Sequence, residues 1–132
     1  MLGHRHAADA ADLPEPVSAM HAVFVGNRDA CINVLPASLE SIARHFAGMT
    51  SLSMEDRFKL PVWDQGESDV PVLRGALASL QGKIVAAKEV GSHSVMFVET
   101  TQIRVRTDGD SLIYFDRNFH RVPRAWTGQW VI

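Results

Sequence analysis

Between residues 71 and 115 the chain is a succession of strand-forming runs, at 71–80, 83–90, 94–106 and 112–115, punctuated by Gln81-Gly82, Gly91-Ser92 and Asp108-Gly109. That pattern predicts antiparallel strands joined by tight turns, and hence a mainly β protein built as a small barrel or sandwich. Asp108-Gly109 signals a hairpin, because a type I′ turn needs positive φ at both central positions. In Ile103-Arg104-Val105-Arg106 apolar and charged residues alternate, which predicts one buried and one wet face.

Upstream, residues 30–35 (ACINVL) form an earlier strand, ended by Pro36. Two short helices follow it. Ser38 is an N-cap candidate for the first, whose apolar positions Leu39, Ile42, Ala43, Phe46 and Ala47 fall on one face before Gly48 stops it. The second runs over 53–58, with Ser53 capping and Asp56 three residues on. A short helical turn is expected over 19–25. Residues 1–17 read as an atypical, poorly ordered leader in which His4 and His6 face solvent. The expected division is therefore a leader at 1–17, one domain at 18–123 and a tail at 124–132 carrying Trp126 and Trp130.

With 13 Lys and Arg against 15 Asp and Glu in 132 residues, the formal charge is −2. That balance argues against nucleic acid, whose phosphates demand a basic surface. Cys31 is the one cysteine, so no internal disulfide can form and a reducing, cytoplasmic setting is expected. No apolar run approaches the roughly 20 residues of a membrane span, and neither membrane nor metal enters the expected function.

No nucleophile elbow, phosphate loop or zinc-protease helix is present in the sequence. Local clusters carry what chemistry there is. Gly91-Ser92-His93 allows close approach of a ligand to backbone and ring, or else is a turn whose histidine meets water. Residues 114–120 (YFDRNFH) interleave aromatics with a cation, either to grip a flat heteroaromatic or as core plus a solvated pair. Met54-Glu55-Asp56-Arg57-Phe58, near Trp63, is a helix end that carries charge and an aromatic ring, or simply an amphipathic helix on a sheet.

Taken in order, CINVL (31–35), ARHFAGM (43–49), MEDRF (54–58), PVLRGALASL (71–80), GSH (91–93) and LIYFDRNFH (112–120) resemble the flavin reductase family, above all the small reductases of two-component 4-hydroxyphenylacetate 3-monooxygenases. The resemblance runs from about residue 18 to 123. It implies an FMN-binding split β-barrel with two short helices, here lacking the N-terminal strands of the family. It further implies a homodimer that transfers hydride from NADH or NADPH to FMN or FAD. Reduced flavin then passes to a partner oxygenase. The protein's task in such a reaction is to stack and orient two cofactors, which accounts for the missing nucleophile.

By the same resemblance His93 faces the reacting rings, with Gly91 and Ser92 beside it. Ser18 lies in a flavin-contacting stretch whose usual Asn is replaced by Glu15. Tyr114, Arg117 and His120 match a motif near the cleft, and Arg57 and Phe58 contact the nucleotide or brace the lid. The absent strands leave a second expectation open, that of a shortened, non-catalytic remnant which dimerises. The sequence does not distinguish FMN from FAD or NADH from NADPH.

Overall fold

The computed structural model describes residues 26–125. The expected helical turn at 19–25, Ser18, the two leader histidines, Trp126 and Trp130 lie outside them. Among the described residues seven strands and two α-helices follow in order: β1 (Asp29–Val34), α1 (Glu40–Phe46), α2 (Met54–Lys59), β2 (Trp63–Gln65), β3 (Pro71–Leu73), β4 (Ala78–Val90), β5 (His93–Val105), β6 (Ser111–Phe115) and β7 (Asn118–Val122). They form a three-stranded sheet ordered β1-β4-β5 and two antiparallel pairs, β2-β3 and β6-β7. Among the described residues the strands thus make open sheets and no closed barrel.

Contacts divide the chain into two compact units. One holds residues 26–30 with Gln81–Gln102, and the other 31–80 with 103–125. In the first, Lys83 Nζ pairs with Asp29 at 3.2 Å, the Ile84 amide donates to the Arg28 carbonyl at 2.7 Å, and Gln81 donates to Gln102 at 3.1 Å.

The second unit carries both helices and a core of Ile42, Leu73 and Ala76, onto which Leu35, Leu39, Phe46, Leu60, Val62 and Trp63 pack. The predicted apolar face of α1 supplies several of these. Its start differs from expectation. Residues Ala37–Leu39 wind as a 3₁₀ turn, and no side chain caps α1 itself, so Ser38 is not an N-cap. Ser53 does cap α2, accepting from the Asp56 amide at 3.1 Å. Asn33 ties β1 to the β2-β3 pair: its Oδ1 accepts from the Leu73 amide at 3.0 Å and from Ser79 Oγ at 2.9 Å.

Two expected turns are corrected. Gln81-Gly82 lies within the continuous strand β4, both residues buried. Asp108-Gly109 does bend the chain after β5, but β6 pairs with β7 and not with β5, so it makes no hairpin. No helix among the described residues is long and apolar enough to cross a membrane.

Candidate functional site

The β6-β7 hairpin is in register from Ser111↔Val122 to Phe115↔Asn118, leaving Asp116-Arg117 as a two-residue loop. Their φ values of 50° and 63° make this the type I′ turn, without the glycine or asparagine that normally marks one. Asn118 Nδ2 steadies it by donating to the Asp116 carbonyl at 3.1 Å.

Pairing sorts the 114–120 cluster onto two faces. Tyr114 sits opposite Phe119, ring centroids 5.0 Å apart, and the Arg44 guanidinium of α1 lies 4.9 Å over the Phe119 ring. His120 pairs with Ile113 on the reverse face, where its Nε2 donates to the Phe115 carbonyl at 3.0 Å. The structure therefore separates Tyr114 from His120. Arg117 stands exposed at the tip. Tyr114 remains 54% exposed, so part of its side chain is open to solvent.

Arg57 is turned inward. Its Nε donates to the Leu52 carbonyl at 3.0 Å, its guanidinium lies 5.7 Å over Phe46, and its carbonyl accepts from Trp63 Nε1 at 2.9 Å. Phe58 packs on Phe46 and Trp63 at 5.3 and 5.2 Å. Both residues brace α2 through these contacts, while the Phe58 ring keeps an exposed edge. Gly91-Ser92-His93 belongs to the other unit. It forms the exposed turn from β4 to β5, with Gly91 at φ 59° and Ser92 Oγ 3.0 Å from His93 Nδ1.

An open depression of about 610 Å³ lies beside the hairpin base, lined by Ser38, Glu40, Asp110, Leu112 and Arg121 among others. No aromatic ring lines it, and its Arg121 and Asp110 charges already pair, so it offers nothing to a flat heteroaromatic. The hairpin does better. An exposed Tyr114 ring packed on Phe119 beneath the Arg44 guanidinium is a surface on which a flat heteroaromatic such as a flavin or nicotinamide ring can stack. The residues present fit such a group.

Asp110 also accepts from the Arg124 amide, and this bond, followed by that from Arg121, holds its carboxyl below the usual carboxylate range. Arg106 does the same for Asp108, and Arg74 for Asp64. A carboxyl depressed in the folded state stabilises it above the unfolded pKa of about 3.9, and that contribution disappears as pH falls through the folded value. The expected result is a denaturation midpoint flat from neutrality to about pH 5 and falling below it, with the fall reduced by salt because all three pairs are exposed. A midpoint that rises on acidification contradicts it.

Sequence reasoning missed Arg44. Its spacing from Glu40, to which Nε donates at 2.9 Å, reads as an ordinary surface pair on a helix, and nothing local reveals Phe119 beneath it.

Residues 13–123 match the family described as flavin reductase like domain. The reductase component of 4-hydroxyphenylacetate 3-monooxygenase from Pseudomonas aeruginosa is 50% identical over 105 residues, which is 80% of this chain and 62% of that protein. Its counterpart from Klebsiella oxytoca is 48% identical over 126 residues, 90% of this chain and 74% of the relative. The chain thus spans about three fifths to three quarters of the length of these relatives. Among solved structures, the NADH:FAD oxidoreductase SgcE6 of Streptomyces globisporus C-1027, in complex with NAD and FAD fragments, superposes with a TM-score of 0.68 at 27% identity, covering 77% of this chain and 60% of that one. With the family match reaching from before β1 to the end of β7, the chain belongs to the flavin reductase like domain family.

Proposed function

We propose that this chain acts in an NAD(P)H:flavin oxidoreductase that supplies reduced FMN or FAD to the oxygenase of a two-component aromatic hydroxylase. The observation that carries this is the half-exposed Tyr114 ring, packed on Phe119 beneath the Arg44 guanidinium, on a chain of this family. Hydride donation and acceptance are properties of the nicotinamide and isoalloxazine. The chain binds and orients. His93, the residue assigned to catalysis, offers a ring edge to the reacting pair, with Gly91 and Ser92 allowing close approach. Tyr114 supplies a stacking face and Arg117 a cation. Arg57, Phe58 and His120 shape the surroundings, and Ser18 belongs to the same proposal outside the described residues.

Residues 18–123 are the working domain in this view, in a cytoplasmic homodimer that reaches its oxygenase partner through free reduced flavin. The relatives named as reductase components support that partner class. A second function is favoured by one observation: Ile103 and Val105, at 62% and 66% exposed, leave apolar strand surface uncovered, as a non-catalytic association module would.

Flavin titration with NADH and NADPH consumption distinguishes the two. The reductase is expected to quench flavin fluorescence and to oxidise a reduced pyridine nucleotide only with FMN or FAD present. His93→Ala is expected to lower kcat/KM by about tenfold to a hundredfold, the scale set by loss of near-attack geometry. A stable dimer that neither quenches flavin nor consumes nucleotide supports the association module.

A further inference from the structure

The two strands of the β6-β7 hairpin have no third strand beside them among the described residues, and a two-stranded ribbon is marginal by itself. Its base is tied down: the Ala37 amide donates to the Asp110 carbonyl at 2.8 Å, the Leu112 amide to the Leu35 carbonyl at 3.3 Å, and Pro36 bridges to Ser111. Those bonds end well short of Tyr114. Nearer the tip the link to α1 is Arg44, whose guanidinium covers the Phe119 ring while Phe119 packs on Tyr114 across the strand pair. Glu40 orients that guanidinium from one turn earlier, and Met49 Sδ accepts from its Nη1 at 3.9 Å. Three contacts in series therefore run from α1 to Tyr114, a half-exposed ring of the hairpin.

We propose that Arg44 is a positioning residue, which holds the Tyr114 ring in place through Phe119 so that a flavin or nicotinamide meets a fixed face. The consequence for the ligand rests on the function proposed above. The positioning itself does not. A planar guanidinium suits this place because it lies flat on Phe119 while its edge still bonds Glu40. Arg44 never touches the ligand in this scheme.

Tyr114 is the only tyrosine in the chain, so uniform incorporation of 3-fluorotyrosine gives one fluorine resonance that reports on this ring alone. In the unsubstituted protein that line is expected away from the position of free 3-fluorotyrosine, displaced by the Phe119 ring. Arg44→Met should move it toward the free position, speed amide exchange at Phe119, and weaken FAD binding about threefold to fivefold. Arg44→Lys, which keeps the cation over the ring, should restore most of each effect. Arg44 is exposed, so Arg44→Met is expected to fold, and Glu40→Gln gives a second, milder route to the same line shift. An unchanged fluorine line and unchanged exchange in Arg44→Met overturn the proposal. Absence of FAD binding by the unsubstituted protein would instead remove the flavin function, with the line shift still deciding whether Arg44 positions Tyr114.

Discussion

Gly82→Ala is expected to destabilise the protein by about 3 kcal/mol or more, the upper range for overpacking against atoms that cannot move aside. A Cβ at this position would stand 2.4 Å from the Glu99 carbonyl oxygen and 2.8 Å from Val98 Cγ1. The first neighbour is backbone of β5, so relief requires the β4-β5 ladder itself to separate. Gly48→Ala is the informative comparison. Gly48 has a φ of 75° and nothing within 4 Å, so only conformational strain opposes the change, about 1 kcal/mol. Denaturant midpoints of the two variants should differ clearly. Equal losses would mean that the approach of β5 at Gly82 does not limit the fold.

Asn33→Leu is expected to rank next, at about 2–4 kcal/mol, or a thermal midpoint lower by roughly 10 °C. The carboxamide oxygen receives the Leu73 amide, the Ser79 hydroxyl and, weakly at 3.6 Å, the Cys31 thiol. Leu73 and Ser79 are both only 2% exposed, so their donors have no water to turn to. Leucine matches the asparagine shape but strands both. Asn33→Asp keeps an acceptor and should lose less, although its second oxygen then faces the Pro71 carbonyl that Asn33 Nδ2 approaches at 3.5 Å. A Leu variant as stable as the Asp variant would show that the clip contributes nothing beyond shape.

Periodicity revealed the core face of α1, whereas the alternation of Ile103-Arg104-Val105-Arg106 in β5 buries no face, Ile103 and Val105 being 62% and 66% exposed. The apolar spacing of Leu39, Ile42 and Phe46 translates directly into packing around Leu73. Glycine misleads as punctuation here. At Gly82 the absent side chain serves a close backbone approach inside a strand, while the actual type I′ loop uses Asp116-Arg117 and so carries no glycine signal. The β2-β3 pair escaped notice because three residues a side cannot show alternation. Site residues were legible as types but not as partners. Tyr114 and His120 sit in one motif, yet strand pairing sends them to opposite faces, and the ring nearest Tyr114 is held by an arginine some seventy residues earlier.

The left-handed loop at Asp116-Arg117 has a bearing on any effort to make this protein more robust. An Asn-Gly pair there would adopt the same dihedrals without the penalty of roughly 1–2 kcal/mol that the Arg117 side chain now incurs. It would also remove the single cation that the hairpin tip extends into solvent. Hardening the ribbon and keeping its charge are opposed requirements at one position, so if Arg117 serves the proposed function, thermal selection and ligand selection should drive that dipeptide in different directions.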